Sequence, residues 1–525
     1  MAQPILIHIG DNNDIKIDED DFRVINKHEQ SDSETDWPSV RLISAIIFFG
    51  MIQMSVIGMS EWPYMKEIDP FATSTFFGLV ISVSSLGHAI CAPLMGYWSS
   101  AINRTKPPLV AGRLIALFGC LLYLCLEFFS SGRRYIMLFC YTIFGISMSS
   151  VSVMRGYVAR ISTLKDRAMA VSLFGLAIML AIAVGPVFQL LFTSLKYPGL
   201  NLAANKLLLN IYTGPIYVAT CSNIISLILI VCFFKDRDCI LHEKSEIVCK
   251  SPNRKNTLLT DLYSFDLSLA ISCILVRMIA TLSITIIHTT SSPLMMSVFD
   301  WSSIKTVRVG SYTQAIVGFF SMLIYIGFAS GKFTKIISER CGALVAIVLF
   351  ALFYLLTYPW SFFSGVISIR EEENMTGCDA NIYKWCLTSY AVSPVIYIGS
   401  AISVLGIAYT LVVITIDTLY SKILGNIDQS VMQGVFLFAQ DIINVCGPII
   451  IALVLLPCLL ALINIVKPSF TKWGQNYIWM ATEVIIIAVC IRWIIVYKEL
   501  PKTATVLGKW LSEEHKRTCI CVRIA

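Results

Sequence analysis

Runs of apolar residues, each about twenty long and separated by short polar segments, fill the chain from Val40 to Val496. We place twelve of them near residues 41–60, 77–98, 108–128, 136–157, 168–192, 211–234, 266–290, 312–331, 341–358, 391–416, 431–456 and 476–497. A helix of that length crosses the roughly 30 Å hydrocarbon core of a bilayer. Lipid offers no partner to a free backbone N–H or C=O, so each run is expected to be a helix rather than a strand. Span eleven carries Pro448 and Pro457, which predict a kink or an early exit from the membrane.

The second six runs echo the first. Arg155, Asp166 and Gly185-Pro186 are matched by Asp417, Asp428 and Gly447-Pro448, each pair 262 apart (417−155, 428−166, 447−185). Ile161 with Ile423 and Phe174 with Phe436 keep the same register (423−161 and 436−174). Several coincidences in one register point to a duplicated six-helix unit. The expected fold is an all-α polytopic membrane protein, with twelve transmembrane helices in two pseudo-symmetric halves.

Composition agrees, since 56% of residues are hydrophobic and 14% charged, whereas a soluble chain carries about a quarter charged. Residues 1–37 form an acidic tail around Asp18-Glu19-Asp20-Asp21 and lack the basic start and apolar core of a cleaved signal peptide. That tail is expected to be disordered and cytosolic. After it come an N-terminal half over 38–236, a cytosolic linker over 237–264, a C-terminal half over 265–498 with a luminal loop at 359–389, and a basic cytosolic tail over 499–525. Lys235, Arg237, Lys244, Lys250, Arg254 and Lys255 place the linker, and with it both termini, in the cytosol. Arg133 and Arg134 oppose this orientation, while the even number of spans and the acidic Glu371-Glu372-Glu373 loop favour it. The net charge of +6 is spread over tails and loops, which suits an anionic leaflet rather than nucleic acid.

Most of the seventeen cysteines lie inside spans, and no CxxC or Cys/His spacing suggests a metal. No metal or cofactor is expected. Cys378 and Cys386 share the polar loop between spans nine and ten with the sequon Asn374-Met375-Thr376. If that loop is luminal, a disulfide and a glycan on Asn374 are both expected. The sequon at Asn103 falls in a short cytosolic loop and should stay unmodified.

An ionisable side chain at membrane depth is costly unless it is paired or faces water, so each one is a functional candidate. Arg277, near the middle of span seven, is the leading candidate for coordinating an anion. The plainer reading is a structural ion pair with Asp441 of span eleven. His88, halfway along span two, has proton chemistry available at endolysosomal pH, against the plainer reading of a neutral histidine bonded to a neighbouring helix. Glu61 and His288, at the luminal ends of spans one and seven, are expected at the cavity mouth, with interfacial solvation as the alternative. Arg155 and Asp417, symmetry mates of opposite charge near the cytosolic ends of spans four and ten, are candidates for a cytosolic gate. Gly145, Ser147, Ser149 and Ser150 suit close helix packing better than substrate contact.

The local pattern Gly87 through Pro93 to Gly96-Tyr97-Trp98-Ser99, followed by Arg104 and Lys106, resembles the Gly-rich basic loop between spans two and three of the major facilitator superfamily. Gly185-Pro186 resembles its Gly-Pro bend in span five. One departure is Ser100, where that loop usually has an acidic residue. Within the superfamily, Trp62-Pro63-Tyr64 with Ile68-Asp69-Pro70, Gly185-Pro186-Val187-Phe188-Gln189, Gly377-Cys378 with Trp385-Cys386, and Leu419-Tyr420-Ser421-Lys422-Ile423-Leu424-Gly425 resemble the lysosomal group tied to neuronal ceroid lipofuscinosis type seven. His288-Thr289-Thr290-Ser291-Ser292-Pro293 departs from that group, where Glu-Thr is expected before the proline. The resemblance implies an endolysosomal membrane protein, glycosylated before span ten and associated with chloride conductance. It also implies a central cavity lined by spans one, four, seven and ten.

The leading functional reading is transport of a small solute or anion, proton-linked in one variant, by rocking of the two halves or in a channel-like mode. One alternative is a transporter-like scaffold or receptor that has lost transport. A membrane-embedded enzyme fits least, because the chain has no HExxH, no acidic metal cluster and no Ser/His/Asp set able to meet.

Overall fold

The computed structural model describes residues 35–57, 61–69, 74–129, 132–192, 195, 199–203, 207–236, 266–301, 303–361, 365–369, 378, 384–387, 389–424, 429–449 and 479–496. Asn374, Asp428 and the expected linker and tails lie outside them. Span one is Trp37–Ile57, span two Ser74–Ile102 and span three Lys106–Leu124. Span four combines Arg133–Met148 and Ser150–Ile161, and span five is Arg167–Leu191. Span six is Gly214–Ile228 with a π-helical turn Leu229–Phe233. Spans seven, eight and nine are Leu267–Ser297, Ser303–Ala329 and Glu339–Leu356. Span ten runs from Pro394–Ile402 through a π-helical turn Ser403–Ala408 to Tyr409–Leu424. Span eleven is Gln429–Ile449, and span twelve lies within Trp479–Val496.

Eleven of these are long and apolar enough to cross a membrane. Span eleven is not among them over its described residues, where Gln433, Gln440, Asp441 and Asn444 give it a polar side. The helix continues through Pro448 to Ile449, and Pro457, the second expected interruption, lies outside the described residues.

Local chemistry sets several helix ends. Asp266 accepts a hydrogen bond from the Leu269 N–H at the start of span seven, and Ser338 one from the Cys341 N–H at the start of span nine. Span three opens on Pro107 and Pro108, and its first free N–H groups, on Thr105 and Lys106, both donate to Asp236 Oδ2 at 2.7 and 3.0 Å. Asp236 thereby anchors the loop carrying Arg104 and Lys106 to the end of span six. Lys106 Nζ strengthens that link by donating to the Val231 carbonyl at 2.8 Å. Ser100 donates to the Gly96 carbonyl of its own helix at 3.0 Å.

The Gly185-Pro186 bend has a specific physical job. Pro186 has no N–H, so the carbonyl four residues back, Ile182, loses its helical partner. Ser55 of span one donates to that carbonyl at 2.9 Å. A Cβ on Gly185 would collide with Ser55, so only glycine lets spans one and five come this close. Gly185→Leu is therefore expected to overpack the N-terminal half by about 1–3 kcal/mol. Thermal melting in detergent should fall by several degrees, and an unchanged melting point would show that these spans part freely.

Gly145 meets the Ser84 carbonyl in the same way, and Gly112 meets Ser150, so small residues of span four pack closely, while Gly145 also lines the cavity described below. Trp98 and Trp360 are exposed at span ends, as lipid-facing anchors are. Two short antiparallel pairs that periodicity did not indicate lie between spans: Leu200–Ala203 with Leu207–Leu209, and Gly365–Val366 with Tyr390–Ala391. A disulfide joins Cys378 to Cys386 in the loop between spans nine and ten.

The candidate functional site is a cavity between the halves

Spans two and eleven pack along one another, and spans five and eight do the same, so these four helices form the boundary between the halves. At the face where span one begins, called here the amino-terminal face, the boundary is tight. Gly96 lies against the Ser430 carbonyl, Gly156 against Ser430, and Gly434 against Pro93. A side chain at any of these glycines would push the halves apart. Polar side-chain contacts that cross the boundary include Arg155 to Asp417, His88 to Asp441, and Arg167 to the Ser421 carbonyl. These lie between the amino-terminal face and the middle of the helices.

Above this closed face is a cavity of about 530 Å³, lined from both halves. His88, Arg155, Arg277, Asp417 and Asp441 all line it, together with Tyr325, Tyr409, Gln433 and Gln440. Five of the expected site residues thus converge, although they come from five different spans.

The two symmetry mates meet directly. Arg155 Nη1 lies 2.6 Å from Asp417 Oδ2, with side chains 16% and 7% exposed. The 262-residue register extends further, because Arg167 and Ala159 correspond to Gln429 and Ser421 (429−167 and 421−159). Arg167 Nη2 donates to the Ala159 carbonyl at 2.6 Å, and Gln429 Nε2 donates to the Ser421 carbonyl at 3.2 Å. Arg167 also reaches across to the Ser421 carbonyl at 3.1 Å, which makes it a second latch. Arg167 was not singled out from sequence; its place in the register was the available signal.

Arg277 is buried, and its environment differs from the expected ion pair. Nε donates to Gln440 Oε1 at 2.8 Å and the guanidinium lies over the Tyr409 ring at 5.3 Å. Nη1 has no hydrogen-bond partner. Among the described residues no carboxylate stands within ion-pair distance of Arg277. Asp441, its expected partner, instead meets His88 Nδ1 at 2.5 Å. Depth along a helix was readable from sequence, but rotation about its axis was not. Gln440 and the two tyrosines were missed for that reason.

Two expected residues fall elsewhere. Glu61 does not line the cavity mouth. It is buried, heading a short helix, Glu61–Ile68, that packs on span four near Tyr141. Burial raises its carboxyl to about 7, with the Tyr141 hydroxyl partly opposing. A carboxyl raised from its ordinary 4.5 favours the protonated fold, so its contribution is present at acid pH and is lost as pH rises through about 7. Thermal stability is expected to fall between about pH 5 and 8 by up to roughly 3 kcal/mol, with Glu61→Gln flattening that slope. An equal slope in the variant would remove Glu61 from the account.

For His288 the alternative of interfacial solvation fits. It is exposed and absent from the cavity lining, and span seven continues nine residues beyond it to Ser297. Gly87 packs near the Thr142 carbonyl of span four, while Arg104 and Lys106 flank a shallow surface cleft with Asp236. Gly447 and Pro448 lie within the span eleven helix.

Two bundles of six helices, joined through a common cavity and closed at one face, define a transporter-type membrane fold. The Major Facilitator Superfamily profile matches residues 42–448, and the chain belongs to that superfamily. A curated relative is major facilitator superfamily domain-containing protein 8 of Xenopus laevis, 25% identical over 456 residues, covering 81% of this chain and 86% of the relative. Among solved structures, the proton:xylose symporter XylE matches with a TM-score of 0.60 and 12% identity, over 86% of this chain and 94% of that one. The fucose:proton symporter of E. coli matches with a TM-score of 0.53 and 12% identity, over 87% and 98%. At these identities the symporters support the fold alone.

Proposed function

We propose that the protein carries a small anion across an endolysosomal membrane, with Arg277 as the anion-coordinating residue and chloride as the first anion to test. The observation that carries this reading is the buried, cavity-lining guanidinium whose Nη1 has no hydrogen-bond partner and which, among the described residues, has no carboxylate within ion-pair distance. A buried polar group without a partner is rare in native proteins, and an anion would satisfy this one. Arg155, Asp417 and Arg167 act as the cytosolic gate, which makes the amino-terminal face cytosolic. The closed contacts there then correspond to a lumen-facing state, and rocking about the cavity would alternate access.

The same orientation puts the Cys378–Cys386 loop in the lumen, where disulfides persist. Asn374, beside it in sequence, is then the glycosylated residue. Glycosidase should shift the mobility of the wild type and leave Asn374→Gln unshifted. A glycan found on Asn103 instead would invert the orientation. The resemblance to major facilitator superfamily domain-containing protein 8 supports the lysosomal placement. Purified protein in liposomes is expected to take up chloride above the level of empty vesicles, and equal uptake would reject chloride as cargo.

A further inference from the structure

Two walls of the cavity are built from the same helix positions and carry opposite chemistry. Val171, Ile178, Met179 and Ile182 on span five all line it, and the 262-residue register matches them to Gln433, Gln440, Asp441 and Asn444 on span eleven (433−171, 440−178, 441−179 and 444−182). Those four line it too. Successive spacings of seven, one and three residues keep each set on one helix face. The duplicated fold therefore aims both sets at the cavity, and the sequence has made one apolar and the other polar.

The contrast extends beyond these two helices. The N-terminal half adds Met51 and Met54 of span one, Met148 of span four and Phe174 of span five to the apolar wall. Its His88 and Arg155 are engaged with Asp441 and Asp417. Among the described residues the C-terminal half contributes two aliphatic side chains, Val413 and Leu437, and carries Arg277, held by Gln440. The walls adjoin where Gly175 of span five lies against the Tyr325 ring. Size points the same way. A water takes about 30 Å³ of the liquid, so a lone ion would leave most of the 530 Å³ to solvent held against methionine and isoleucine. Organic ligands occupy pockets of roughly 300–1,000 Å³ whose apolar lining carries a few placed polar groups.

We propose that the anion on Arg277 is an amphipathic organic anion, with its charged head on the guanidinium and its hydrocarbon body along the span five wall. The proposal rests on the anion reading of Arg277 and names the class of anion. A wholly apolar ligand would leave Nη1 without a partner, and a wholly polar one would leave the methionine wall in water. Methionine suits such a wall, because its flexible, polarizable thioether repacks around hydrocarbon of different shapes. Each methylene taken from water into it is worth about fourfold in affinity.

The test is displacement of radiolabelled octanoate from the purified full-length protein in nanodiscs by unlabelled acetate, hexanoate and octanoate, with empty nanodiscs subtracted. At about pH 7 all three are ionised, so that only the length of the hydrocarbon differs. Affinity should rise along the series, with octanoate at least about a hundredfold tighter than acetate. Ile178→Gln combined with Ile182→Asn copies the matching span eleven residues onto span five, and should cut that ratio tenfold or more. If the pair does not fold, Ile182→Asn alone, at a residue already 46% exposed, should cut it about fourfold. Octanoate no tighter than acetate, a folded variant that keeps the wild-type ratio, or a wild type that takes up chloride in liposomes yet binds no octanoate would overturn the proposal. Failure of the anion reading looks different: Arg277→Gln would bind octanoate as tightly as the wild type, or the wild type would bind octanoate and take up chloride no better than empty membranes do. The proposal would then fall with it.

Discussion

Arg277→Gln is expected to bring chloride uptake in proteoliposomes close to the level of empty vesicles while leaving the protein folded. A hydrogen bond from a buried guanidinium to an ion is worth about 1.5–3 kcal/mol, so the substitution should weaken anion binding roughly 10- to 100-fold. Folding should survive for a structural reason: Arg277 holds no carboxylate in an ion pair, and Gln440 loses a single hydrogen bond. Uptake and melting temperature, measured on the same preparation, separate the two effects. Normal uptake in a folded Arg277→Gln protein would reject the site.

Charge reversal at the gate is expected to have a comparable effect on conformation. Arg155→Asp would set two carboxylates against each other at a contact now 2.6 Å long, and Asp417→Arg would do the same with two cations. Breaking a buried pair from one side costs about 3–5 kcal/mol. Only the part lost in the closed state and regained in the open one shifts their balance. Taking about 2 kcal/mol for that part gives roughly a thirtyfold change in population. A cysteine at Ala159, which lines the cavity beside the latch and is 2% exposed, reports this as its rate of modification from the amino-terminal face. Each single reversal should raise that rate at least tenfold, and the double reversal should bring it back. Unchanged rates, or a double variant worse than either single one, would reject the gate.

The 262-residue register carried the most structural information that sequence alone provided. It brought Arg155 to Asp417 before any geometry was known, and extending it by two positions would have found Arg167 and Ser421. Hydropathy placed most span ends within a few residues, because lipid imposes length and internal hydrogen bonding on every crossing helix. The expected partner of Arg277 failed for a different reason. A hydrophobic run fixes where Asp441 sits along span eleven, but the direction it faces depends on how that helix is rotated against span two. That rotation is set by the close approach of Gly434 to Pro93 and of Gly96 to Ser430, backbone contacts with no sequence period. Glu61 was misplaced likewise. Its position after span one was legible, but its turn away from the cavity depends on a short helix that charge and hydropathy do not announce.

The account rests centrally on the cavity between the halves being the path of the transported anion. Met51 of span one lines that cavity and lies outside the latch contacts. A cysteine placed there, in a protein otherwise insensitive to thiol reagents, can be capped with a bulky methanethiosulfonate and later freed by reduction. Chloride uptake by these proteoliposomes should stop on capping and return on reduction. Uptake that continues undiminished after complete modification of Met51→Cys would contradict the account.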